Sequence, residues 1–258
     1  MSAMKDGKAE LPLVSAPCAV SELKVQYADS AEFLSKVGHL MEHFQLMRRT
    51  QPDGNCFYRA YLFAVLEQVA GHKERHAALM DRMKGALEDC AEAGYEKVAI
   101  DVFYDDFMDV MTALGTEGAS GSTVQALWEE NDKCLVCWAR ILTSAHLKRH
   151  EQDFACFLTS HPSIQQFCAQ EVDPMNTEAD HLQISALSSY LAVPVTVVYL
   201  DRTEGAAAEH PFAHDPSSPF EPVHLLYRPG HYDLVYRGER GPAAKRPPSE
   251  MESAEEKE

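Results

Sequence analysis

The chain has no apolar run approaching the roughly 18 to 20 residues that a membrane-spanning helix needs. Its first twenty residues, MSAMKDGKAELPLVSAPCAV, also lack the basic stretch followed by a continuous apolar core that marks a secretory leader. No membrane partner is expected, and the cytoplasm is the expected location, with the nucleus as the alternative. Basic residues are scarce as well. There are 23 Lys and Arg against 40 Asp and Glu, a formal net charge of -17, which argues against gripping a phosphate backbone and so against nucleic acid as a partner. Cysteine is present as an odd number, seven, scattered through apolar sequence rather than set between turns, so free thiols are expected in place of a disulfide framework.

What is there suits one sizeable folded domain. The chain has 258 residues, 45% hydrophobic and 24% charged, enough to bury a real core without staples. Residues 238–258 hold six acidic and four basic side chains, so the folded body carries most of the negative charge and favours a partner with a basic face. A monomer is expected.

Residues 1–20 mix Gly, Pro, Ser and Lys without periodicity and read as a flexible N-terminal arm. A domain is expected over residues 21–237, followed by a disordered tail, residues 238–258, with almost no apolar side chains. The pattern turns helical at Ser21. Apolar spacing predicts further helices at 56–70, 74–91, 96–114, 121–131, 134–148, 151–159, 162–170 and 180–191. Near the C-terminus the period changes. VPVTVVYL (193–200), VHLLY (223–227) and YDLVY (232–236) are short β-branched and aromatic runs, read as strands. Only Arg228-Pro-Gly-His separates the last two, which suggests an antiparallel hairpin. Residues 201–222 read as a polar surface loop.

One cysteine has a distinctive setting. In QPDGNCFYRAYLFAVLEQV, residues 51–69, Cys56 follows an Asp-Gly-Asn turn and precedes an apolar run of helical period. A thiol attacks a carbonyl as thiolate, and the unpaired amides and positive dipole end of a helix starting there favour that form. The same amides, with those of the turn, can face a substrate oxyanion, and Gly54 permits close backbone approach. A cysteine nucleophile also needs an imidazole and a group to orient it. PGHYDLVY supplies both. His231 stands at the mouth of a strand, and alternation puts His231, Asp233 and Val235 on one face, with Tyr232 and Leu234 on the other. Asp233 can then hold the ring nitrogen of His231 that faces away from sulfur.

PDGNCFYRA resembles the nucleophile motif of ovarian-tumour (OTU) cysteine proteases, and VHLLYRPGHYDLVY is similar to the histidine motif of their otubain branch. QEVDPMNTEADHLQISALSSYLAVPVTVVYLDR, residues 170–202, resembles the otubain segment leading into the central strands. The likeness runs from about residue 20 to about 237. It implies an α+β, papain-like OTU cysteine-protease fold, a small central sheet flanked by many helices, with no metal and no cofactor. It further implies Cys56 as nucleophile, His231 as general base and acid, and Asp233 as the residue orienting it. Asp53 would help shape an oxyanion hole from the backbone of Asp53, Gly54 and Cys56, with Asn55 holding the turn.

The implied activity is that of a deubiquitinating thiol protease. It hydrolyses isopeptide bonds at the ubiquitin C-terminus and prefers the proteasome-directing type of polyubiquitin chain, with ubiquitin bound on either side of Cys56. The alternative implied role is a non-catalytic module that binds ubiquitin and ubiquitin-conjugating enzymes and inhibits ubiquitin transfer. Only 52 residues precede Asp53, so such an arm is short here.

Three other signals count for less. Cys134-x-x-Cys137 followed by His146-x-x-x-His150 imitates a zinc finger, but eight residues separate the pairs where about twelve to fifteen are usual, and Trp138, Ile141 and Leu142 suggest a continuous amphipathic helix. His210 and His214 fall in the polar loop and are expected to be solvated. Trp128 and Trp138 are expected in the core or a groove.

Overall fold

The structure, a computed structural model, describes residues 12–203, 205–212 and 216–238. Its centre is a six-stranded sheet in the order β1-β2-β6-β5-β3-β4, formed by β1 (Cys18–Ala19), β2 (Phe44–Arg48), β3 (Val195–Tyr199), β4 (Ala208–Phe212), β5 (Val223–Arg228) and β6 (His231–Arg237). β3 and β5 run parallel; the other neighbours are antiparallel. Ten α-helices surround the sheet among the described residues. They are α1 (Leu23–Gln26), α2 (Ala31–His43), α3 (Cys56–Val69), α4 (Lys73–Met83), α5 (Ala86–Glu92), α6 (Lys97–Leu114), α7 (Gly121–Arg149), α8 (Glu151–Phe154), α9 (Ile164–Phe167) and α10 (His181–Leu191).

The period-2 pattern of the C-terminal strands decides which side each residue serves. Val195, Val197, Leu225, Tyr232 and Leu234 face the main core with α3, α6 and α7, while Val198, Leu226 and Val235 face a smaller core with Val37, Leu40 and Phe44. α3 is apolar nearly all round and is buried over almost its whole length, as suits a central helix between layers. Its N-terminus is thereby fixed from several directions. Trp128 and Trp138 are both fully buried in the main core.

Several expectations need correction. Residues 12–20 do not behave as a loose arm: Val14 is buried and bridges Thr50, and β1 pairs with β2. The rest of the expected arm, residues 1–11, and the expected tail from residue 239 lie outside the described residues. The expected helices 121–131 and 134–148 are one 29-residue helix, because no Gly or Pro follows Gly121 within it and the polar step at Asp132 is buried and paired. The expected helix 74–91 breaks at Gly85. Within the expected helix 162–170, α9 gives way to a π-helical turn at Cys168–Val172. The loop 201–222 contains β4, an edge strand that tolerates Pro211. His210 therefore stands on a strand, its ring 4.8 Å from that of Tyr199. His214 lies outside the described residues.

Candidate active site

Cys56 is the first residue of α3 and is buried. The turn before it needs glycine. Gly54 has φ +79°, and a Cβ there would stand 2.2 Å from the carbonyl oxygen of Asn176. Asn55, the N-cap residue, is 2% exposed and ties the loop to distant chain. Its Oδ1 accepts from the amide of Asn176 (2.9 Å) and from Arg140 Nη2 (2.8 Å), and its Nδ2 donates to Asn176 Oδ1 (2.8 Å).

Arg140 was not anticipated. It lies on α7, is 1% exposed, and donates to the carbonyls of Gly54 (3.1 Å), Val172 (2.9 Å) and Thr177 (2.7 Å) while its guanidinium sits 4.2 Å from the Tyr58 ring centroid. One fixed cation thus joins the nucleophile loop to the segment that crosses over it. Burial lowers its pKa, and each of its three side-chain nitrogens finds an acceptor. The sequence signal was a lone arginine inside the apolar run CWARIL.

Asp53 has a different place from the one expected. Its carboxylate accepts a bidentate pair from Arg59 (2.8 and 2.9 Å) and the amide of Asn55 (3.0 Å), and its own N–H donates to the carbonyl of Gln51. The Asp53 amide is therefore not available to an oxyanion, which corrects its assignment as an oxyanion donor; its carboxylate shapes the loop instead. Burial pushes this carboxyl up, but the Arg59 and Asn55 bonds outweigh it and hold the pKa below the usual range. Arg59 in turn bonds the buried Asp132, which also takes the indole N–H of Trp128 (2.7 Å). The N–H groups of Gly54 and Cys56 meet no acceptor among the described residues and remain open.

The hairpin brings the second half. β5 and β6 pair Arg228 with His231 across Pro229-Gly230, and Gly230 takes φ +75° as the tight turn requires. His231 Nε2 lies 2.9 Å from Oδ1 of Asp233, which is 0% exposed. The same carboxylate accepts the Thr50 amide (3.0 Å) on Oδ1 and Arg228 Nη2 on Oδ2. His231 Nδ1 is buried without a hydrogen-bond partner of standard geometry, and Cys56 lies close enough to interact with the ring. Burial alone would push the His231 pKa down; Asp233 and Cys56 outweigh it and raise the value to about 9. The imidazole thus keeps its proton at neutral pH.

Two clefts adjoin the hairpin. One, of about 480 Å³, is lined by Tyr27, Arg49, Pro52, Arg228 and His231. The other, of about 550 Å³, is lined by Phe157, Phe167, Glu178, His181 and Phe212, with the Glu178 carboxylate beside Gly230. The other histidines and cysteines are dispersed. Cys134, Cys137 and His146 lie along α7 and His150 caps its C-terminus; the Cys137 sulfur meets Met175 (3.5 Å), and His146 packs on Tyr190 and Phe154. His224 is half-buried, and desolvation first and the neighbouring Arg237 cation second lower its pKa to about 4.

A helix-start thiol beside an imidazole that is held by a buried carboxylate defines the class of cysteine peptidases. Over residues 6–237 the chain matches the family described as Peptidase C65 Otubain, and it belongs to that family. It is 35% identical to the ubiquitin thioesterase OTUB1 of Homo sapiens over 228 residues, 88% of this chain and 83% of that protein. It is 30% identical to the ubiquitin thioesterase OTUB2 of Homo sapiens over 229 residues, 88% of this chain and 97% of that one. Among solved structures it is similar to a ceOTUB1 ubiquitin aldehyde UBC13~Ub complex, with TM-score 0.83, 29% identity, and coverage of 90% of this chain and 96% of that one.

Proposed function

We propose that this otubain is a thiol-dependent deubiquitinase that hydrolyses isopeptide bonds between the C-terminal glycine of ubiquitin and a lysine amine. The observation that carries the reading is the junction of Cys56, His231 and Asp233 across the interface of α3 and the β5–β6 hairpin. Cys56 Sγ, as thiolate, attacks the scissile carbonyl carbon, and the oxyanion that forms accepts from the open N–H groups of Gly54 and Cys56. Nδ1 of His231 gives its proton to the departing lysine amine as the C–N bond breaks, leaving a thioester on Cys56. Water then attacks the thioester, its proton passing to Nδ1, and the C–S bond breaks to release the ubiquitin carboxylate. Asp233 keeps the ring in place through Nε2 during both steps.

The substrate is a protein chain, and the relatives named ubiquitin thioesterase support ubiquitin as its identity. Preference for the proteasome-directing chain type is part of the proposal. Ubiquitin carrying a C-terminal thiol-reactive warhead should label Cys56, and Cys56→Ser should abolish both labelling and chain cleavage. A folded protein that stays unlabelled overturns the reading. A panel of di-ubiquitin linkages tests the preference.

A second reading has its own support. Similar solved structures are complexes with UBC13~Ub and UBCH5B~Ub, and Val98 and Val102 share an exposed face of α6 at 82% and 55% exposure. A ubiquitin-conjugating enzyme docked there would make the protein an inhibitor of ubiquitin transfer. Cys56→Ser protein that still blocks transfer by a conjugating enzyme supports this role; loss of blocking with loss of the thiol rejects it.

A further inference from the structure

Asp233 sits in an unusual electrostatic position for a buried carboxylate, because two cations share it. His231 Nε2 bonds Oδ1, and Arg228 Nη2 bonds Oδ2, both from the same hairpin. The Thr50 amide completes Oδ1 from the strand-end side. Arg228 is itself constrained: its side chain is 13% exposed, and the β5–β6 register sets it directly opposite His231, so that it reaches Asp233 on the diagonal. Its Nε is buried without a partner, so the guanidinium stays in place at the cost of one unmade hydrogen bond.

Resting on the proposed peptidase reading, we infer that Arg228 is a positioning residue for the reaction: it keeps Asp233 ionised and rotationally fixed, with Oδ1 presented to His231. A carboxylate with no exposure is driven toward its neutral form by burial, and a protonated Asp233 would no longer favour the imidazolium. The charges that face Asp233 are His231 and Arg228; those facing the ring of His231 are Asp233 and Cys56, with Arg49 in the cleft on one side and Glu178 beside the turn on the other. Arg228 is the permanent cation in this group that bonds the carboxylate. It therefore continues to hold Asp233 ionised when His231 gives up its proton to the leaving amine.

The experiment compares the full-length wild type with Arg228→Gln, Arg228→Lys, Asp233→Asn and the Arg228→Gln/Asp233→Asn double variant, using di-ubiquitin cleavage and a 13C titration of the Asp233 carboxyl. Arg228→Gln should lower kcat by roughly tenfold or more, the scale of losing one hydrogen bond to a charged group. KM should stay unchanged, and the acidic limb of kcat/KM should move toward neutral pH. The Asp233 carboxyl should titrate at higher pH in that variant. Arg228→Lys, which keeps the charge, should leave the limb at the wild-type position. The double variant should be no slower than Asp233→Asn alone, since Arg228 acts through that carboxylate.

An unmoved carboxyl titration in folded Arg228→Gln overturns the inference, as do additive losses in the double variant. Should Arg228→Gln fail to fold, a limb displaced by a full unit in Arg228→Lys overturns the role given to the charge. The carboxyl titration needs no substrate, so a wild type that fails to cleave di-ubiquitin counts against the proposed function and leaves this inference to be judged by the titration.

Discussion

The backbone of Asn176 crosses Gly54 so closely that a Cβ on Gly54 would lie 2.2 Å from the Asn176 carbonyl oxygen, and both residues take positive φ, +79° and +65°. The contact is backbone against backbone, so no rotamer change relieves it. It brings residues 121 positions apart into register, where Asn55 and Asn176 exchange hydrogen bonds. The nucleophile loop is therefore shaped by what lies over it as much as by its own turn. Gly54→Ala should lose roughly 1–2 kcal/mol from the left-handed conformation alone, with the displaced crossing segment adding to it. Warhead labelling of Cys56 should slow at least as steeply, read beside a denaturant midpoint. Labelling and stability at wild-type levels would contradict this account.

The proton on His231 offers a second test. With a pKa raised to about 9 by Asp233 and Cys56 against the pull of burial, the imidazolium is complete at neutral pH and is lost as pH rises through about 9. The alkaline limb of kcat/KM is expected there. Asp233→Asn removes the charge that raises the value, so the limb should move down toward the ordinary histidine range near 6.5. A limb that stays near 9 in that variant would mean that some other group sets it.

The difference between what the letters disclosed and what they hid follows from sequence distance. Cys56 behind Asp-Gly-Asn, and His231 with Asp233 after Pro-Gly, are local patterns: a turn, a helix start, a two-residue period. Each could be read within a few residues. The groups that hold them are remote. Arg140 reaches Gly54 across 86 positions and Thr50 reaches Asp233 across 183, and no short-range period encodes either contact. Arg228 was closer to legible, since a two-residue hairpin already sets it opposite His231. The strands show the same division. β5 and β6 are rich in aliphatic and aromatic residues, whereas β2, FQLMR, has no β-branched residue and follows directly on a helix, and β4 is an exposed edge carrying Pro211.

Arg59 has carboxylates on both sides, Asp53 on the loop and Asp132 on α7, and is 1% exposed. Removing one buried partner leaves a charge inadequately compensated. Asp132→Ala should cost about 3–5 kcal/mol, visible as a lower denaturant midpoint, and should also orphan the Trp128 indole N–H. Asp132→Asn, which keeps an acceptor for that indole, should cost less. Equal losses for the two would show that the lost charge accounts for the whole effect and that the acceptor for the indole contributes nothing.

For residues 12–20, a loose arm and a packed segment predict opposite results. Val14 is 1% exposed and bridges Thr50, whose amide bonds Asp233, and the Ser15 carbonyl accepts from Arg48 (2.7 Å), which also pairs with Glu67. Val14→Ala deletes two buried methyl groups at about 0.8 kcal/mol each plus a cavity contribution, about 2 kcal/mol in all. Val25→Ala, at a site 82% exposed, should leave the midpoint unchanged. Because Thr50 links this segment to the Asp233 carboxylate, Val14→Ala should also lower kcat modestly under conditions where the variant remains folded. A midpoint as insensitive at Val14 as at Val25 would return residues 12–20 to the status of an arm and remove the N-terminal segment from any part in holding Asp233.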